Sequence, residues 1–160
     1  MEALVLVGHG SRLPYSKQIV TEVADKIRAK GQFEVVEVGM MEFNHPTIPE
    51  TIQKVIDMGY KKIIVTPVFL APGNHTERDI PTILGLLKEE CHEEGCDCHN
   101  HAHEHNHEHV HGHDHAHAHG HAHSHGEPMD IPEDVEIIYR KPMGADDRVI
   151  DIVMDRAKGL

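Results

Sequence analysis

LVLVGHGSRLP, residues 4–14, carries four consecutive apolar residues into a histidine flanked by Gly8 and Gly10. A run that is apolar at every position, rather than at alternate ones, belongs to a strand covered on both faces. That is the condition of a parallel sheet held between helices. Counted from Ala3 the run reads ALVLV, and the glycines after it let the backbone turn sharply or approach a ligand closely. A helical pattern follows at once. From Pro14 to Ala29, Ile19, Val20, Val23 and Ile27 recur at helical spacing, ending near Gly31.

The same alternation of strand and helix repeats three more times. FEVVEVGM (Phe33 to Met40) reads as a second strand, partly alternating and so nearer an edge. Thr47 and Glu50 form a capping box with Pro49 in the first turn, and Ile52, Val55 and Ile56 give that helix its buried stripe up to Gly59. KIIVTPVFL (Lys62 to Leu70) is the third strand, its regular pairing ending near Pro67. Asp79 is the expected cap of a third helix, with Pro81 early and Ile83, Leu84, Leu86 and Leu87 facing inward. VEIIY (Val135 to Tyr139) and the segment Asp146 to Lys158 supply the fourth strand and helix. Four such units predict an α/β fold: a four-stranded parallel sheet in the order 2-1-3-4, flanked by helices with right-handed crossovers. In that order the switch point falls between strands 1 and 3, and a crevice opens there at the carboxyl ends of the strands.

The chain has 160 residues and reads as one domain, 1–160, interrupted by a Cys/His-rich low-complexity insertion at 91–130. From His99 to His125 every odd-numbered residue is histidine, fourteen in all, and the intervening positions carry almost nothing to bury. Such a segment is expected to be disordered and to bind nickel, cobalt or zinc loosely. Cys91, Cys96 and Cys98, just upstream, suit metal or redox chemistry better than disulfides in a reducing compartment. A formal charge of −12 argues against nucleic acid as a partner. No apolar run reaches the ~18 residues that a membrane span needs, and the cytoplasm is the expected location.

His9 follows the first strand and His75 the third, so the predicted order brings them to one crevice, with Gly73 loosening the second loop. Neutral imidazole is a ligand for cobalt, nickel, zinc or iron and a base near neutral pH. Two histidines with no carboxylate or thiol beside them suit transient holding of a metal ion rather than a permanent site. Neither a Walker loop nor a dinucleotide glycine fingerprint is present.

VLVGHGSR (5–12), MEFNHPTIPE (41–50), VTPVFLAPGNHTERDIP (65–81) and YRKPMGADD (139–147) occur in this order. Together they resemble the short class II tetrapyrrole chelatases, the archaeal sirohydrochlorin cobalt and nickel chelatases. The resemblance implies half of a two-lobed chelatase, working as a homodimer with the macrocycle bound between subunits. It implies no permanently bound cofactor, sirohydrochlorin as substrate, and Co2+ or Ni2+ as the substrate metal, for cobalamin or methanogen nickel-tetrapyrrole synthesis. It assigns His9 and His75 as catalytic residues and metal ligands, with His9 also the proton acceptor. Substrate contacts fall on Leu70, Ala71, Pro72, Gly73, Asn74 and His75. A further contact, usually glutamate, falls on His45. Arg12, Arg78, Arg140 and Lys141 are candidates for contacts with the substrate's carboxylates, and Glu42 for an outer-shell acid or base. Iron insertion, and a storage and delivery role for the histidine tract, are the competing readings.

Overall fold

The unbroken apolar run of β1 (Glu2–Gly8) is buried from Ala3 onward. It lies inside a four-stranded parallel sheet of order β2-β1-β3-β4, where β2 is Val35–Met40, β3 Lys62–Pro67 and β4 Glu136–Tyr139. The order and the parallel sense are those expected from the sequence. These coordinates are a computed structural model describing residues 2–87 and 127–160. The three cysteines and the histidine tract therefore lie outside the described residues.

Alternation along β1 sends side chains to two separate cores. Ala3, Val5 and Val7, with Ile63 and Val65, pack beneath α2 (Ile48–Asp57) and α3 (Ile80–Ile83). Leu4 and Leu6, with Val36, Val38 and Met40, pack beneath Val20 and Ala24 of α1 (Tyr15–Ala29). The second face is covered unevenly. Ile64 of β3 and its register partner Ile138 of β4 lie on it and remain part-exposed. The capping box of α2 is present as predicted, and the Thr51 hydroxyl donates to the Val38 carbonyl at 3.0 Å, seating the helix on β2.

Three expectations need correction. Helical structure begins at His75, not after Asp79: a π turn, His75–Asp79, runs directly into α3. Asp79 has helical backbone angles and caps nothing. Leu86 and Leu87 are 42% and 47% exposed, because α3 stops at Ile83 and Gly85, at φ +67°, turns the chain away. Met129 lies beside α3, its N–H donating to the Ile83 carbonyl at 2.9 Å.

The fourth helix, α4 (Asp147–Ala157), forms where expected, capped by the Asp146 carboxylate accepting from the Arg148 N–H. None of its residues is buried, and Ile150 and Val153 are 50% and 60% exposed. An amphipathic helix has formed whose apolar side is left largely open among the described residues. No described helix is long and apolar enough to cross a membrane.

Candidate functional site

β1 delivers His9 to a loop whose backbone is fixed from three sides. Glu42 N–H donates to the His9 carbonyl at 3.0 Å, Gly10 N–H to the Ser16 hydroxyl at 3.2 Å, and Ser11 N–H to Asn44 Oδ1 at 3.0 Å. Gly10 sits at φ +92°, and a Cβ there would fall 1.8 Å from the Glu42 carbonyl oxygen, so glycine alone fits. Gly73 is different. Its φ is not left-handed and a Cβ would meet nothing within 4 Å, so no turn requires glycine there. The His9 Nδ1 lies 3.0 Å from the Gly10 carbonyl. A carbonyl only accepts, so Nδ1 carries the proton and Nε2 keeps a lone pair.

His75 opens the π turn after β3, and its neighbours hold that turn in place. The buried Thr76 hydroxyl accepts from Gly73 N–H at 2.9 Å and lies 3.1 Å from the Gly73 carbonyl. From the end of β4, the Tyr139 hydroxyl donates to the Thr76 carbonyl at 2.9 Å. His75 Nδ1 is 2.8 Å from Asp79 Oδ2. The rings of His9 and His75 meet nearly perpendicular, 80° between planes and 4.9 Å between centroids, with the Phe69 ring 6.0 Å from His9. The switch-point pair predicted from sequence is thus brought together. Among the described residues no three His, Cys, Asp or Glu side chains form a metal cage.

The other candidates are distributed around this pair. His45 is exposed, and its Nδ1 donates to the Glu50 carboxylate at 2.9 Å. The Thr47 backbone N–H, and after it His45, hold the Glu50 carboxyl below its usual range. Glu42 is half-buried, its backbone bound to the His9 loop. Arg12 lies over the exposed Phe43 ring, 5.5 Å from its centroid. Arg78 is an exposed residue of the π turn, and Arg140 and Lys141 are exposed after β4. Leu70, Ala71 and Pro72 line one side of an entirely apolar cavity of about 510 Å³, and Val149, Ile150, Val153 and Met154 of α4 line the other. Gly73 and Asn74 connect that wall to His75.

Sequence reasoning missed Asp79 as the partner of His75, Phe69 beside His9, and Tyr139 under the π turn. Burial, and then the Glu77 carboxylate, push the Tyr139 phenol up to about 12, so it stays a donor throughout the neutral range. The folded state binds this proton more tightly than an unfolded tyrosine with a pKa of ~10. Its linked stability is therefore present below pH ~10 and lost as pH rises towards 12. Tyr139→Phe should cost about 0.5–1.5 kcal/mol at pH 7. In denaturant titrations that difference should narrow at pH 11, and a constant gap would assign the loss to packing alone.

Residues 3–160 match the CbiX family model. A Methanococcus maripaludis protein named sirohydrochlorin cobaltochelatase is 65% identical over 160 residues, covering 100% of both chains. The protein of that name from Methanocaldococcus jannaschii is 59% identical over 159 residues, 99% of each. Among solved structures, the sirohydrochlorin chelatase SirB from Bacillus subtilis subspecies spizizenii, in complex with cobalt, superposes with a TM-score of 0.66 at 21% identity. That match covers 99% of this chain but 50% of SirB, so this chain spans about half the SirB length. A CbiX protein from Marinobacter aquaeolei is matched over 96% of its length, at a TM-score of 0.59 and 19% identity.

Proposed function

The chain belongs to the CbiX family, and from that premise we propose that it is a sirohydrochlorin chelatase, an enzyme that inserts Co2+ into the tetrapyrrole. The observation that carries the reading is the facing pair His9 and His75, 4.9 Å apart at the switch point. Insertion exchanges one divalent ion for two pyrrole N–H protons, so a site must present a weakly held ion to one ring face and receive protons. Two imidazoles serve both needs: one holds the ion through a lone pair while the other accepts one pyrrole proton, and the second proton leaves to water. A cage of three or four ligands would oppose release. Ni2+ is an equally suitable ion for such a pair, and the metal that is supplied decides between them.

Substrate binding follows from the same end of the sheet. Leu70, Ala71 and Pro72 offer an apolar wall leading to His75, with open space above Gly73 for a close approach. Arg12, held over Phe43, is the nearest sequence neighbour of His9 able to pair with a substrate carboxylate. His45 contacts the substrate only from the rim, since its ring is turned to Glu50.

The working unit is a homodimer. Support comes from the uncovered apolar side of α4, the part-exposed Ile64 and Ile138, and a fold that fills half of the longer SirB chain. A second copy covers the first, and the planar macrocycle is enclosed from both sides.

The fourteen alternating histidines support an added metal-gathering role, in which many interchangeable ligands raise the local ion concentration. Anaerobic incubation of the full chain with sirohydrochlorin and Co2+, Ni2+ or Fe2+ in turn tests the assignment. Absorbance changes well above the uncatalysed rate are expected with Co2+ and Ni2+. Metal uptake without any such acceleration would leave storage as the function.

A further inference from the structure

We infer that Asp79 is a positioning residue that fixes the ring nitrogen His75 presents to the metal ion, an inference resting on the chelatase reading. Asp79 lies one π turn after His75, and its carboxylate oxygen is 2.8 Å from Nδ1. At neutral pH a carboxylate accepts and does not donate, so Nδ1 of His75 carries hydrogen and Nε2 holds the lone pair. The same nitrogen is freed in His9 by a different acceptor, the Gly10 carbonyl at 3.0 Å. Each ring is therefore held as the Nδ1–H tautomer, and each has Nε2 open to an ion.

The geometry of the turn explains why a carboxylate is needed. The Gly10 carbonyl belongs to the backbone next to His9, in a loop where the His9 carbonyl accepts from Glu42 N–H and Gly10 N–H donates to the Ser16 hydroxyl. His75 has no neighbouring carbonyl bound to its ring, and a helical position leaves the ring able to rotate about its own bonds. Asp79 supplies the missing acceptor. Its side chain is 14% exposed, against 30% for His75, so this hydrogen bond is shielded from water more than most surface pairs. The π turn is held from below by Thr76 and Tyr139, which keeps both ends of the pair in register.

Carboxylate-to-histidine pairing of this kind sets tautomer and ring orientation, and losing it costs metal sites roughly 10–100-fold in affinity or activity. Asp79→Ala, Asp79→Asn and wild type should be compared in the full-length protein at pH 8. Long-range 1H–15N spectra report which nitrogen is protonated, the His75 signals being those absent from His75→Gln. Wild type should show hydrogen on Nδ1. Asp79→Ala should show a mixed population, and Asp79→Asn, which keeps an acceptor oxygen, should lie between. With free Co2+ set by a metal buffer, Asp79→Ala should raise KM for the ion about 10-fold or more while kcat changes less. Circular dichroism should stay unchanged. Wild-type tautomer and KM in Asp79→Ala would overturn the inference. If the tautomer shifts as expected but even wild type fails to metallate sirohydrochlorin, the chelatase reading fails and the positioning role stands.

Discussion

His9→Ala and His75→Ala should each lower cobalt insertion about 10²–10⁴-fold, the range usual for removing a proton-transferring side chain. Both folds should survive, since His9 is exposed and His75 half-buried, and neither belongs to either core. Their stabilities should differ. His75→Ala leaves the Asp79 carboxylate, 14% exposed, without its imidazole, a loss of about 1–3 kcal/mol. His9→Ala removes only a part-buried bond to the neutral Gly10 carbonyl. Because the proposed step needs both rings together, the double variant should be hardly slower than either single one. Single-turnover absorbance with quantified sirohydrochlorin decides the matter. Wild-type rates in both variants would remove the pair from the chemistry.

The second large effect concerns α4. Val153→Asp places a carboxylate on a helix with no buried residue among the described ones, where Val153 is 60% exposed. The monomer should therefore fold as before. In a two-fold symmetric interface the change occurs twice, at about 2 kcal/mol for each copy. Association should weaken by roughly a thousandfold, and insertion activity should fall with it. Sedimentation at assay concentration, before and after the substitution, reads this directly. A monomeric wild type with full activity would refute the enclosed macrocycle. An unchanged dimer would place the seam elsewhere.

How legible the site was depends on which physical rule each residue obeys. The ALVLV run and three further strand–helix repeats announce a parallel sheet, and strand order follows from general topology, so His9 and His75 could be paired before any coordinates. Asp79 was misread for a clear reason. An aspartate ahead of Ile80 and Pro81 looks like a helix cap, and nothing local distinguishes a cap from a partner of the histidine four residues earlier. Leu86 and Leu87 continued a helical stripe in the sequence, but Gly85 ends the helical path before them. The segment Asp146 to Lys158 read as a helix and forms one. Periodicity reveals that a face seeks cover, but it cannot say what supplies that cover.

The hydrogen bond from Met129 to the Ile83 carbonyl has a consequence for how this gene can change. It places Met129 beside α3, ahead of the point where β4 joins β3 at Glu136 and Lys62. β4 pairs with β3 from Glu136 to Tyr139, and Tyr139 reaches the π turn from the end of that strand. The contacts described for the sheet and the paired imidazoles are all made by residues outside positions 99–125. Under the proposed metal-gathering role, repeat number sets that capacity, and slippage of a repetitive sequence is the route by which selection would adjust it.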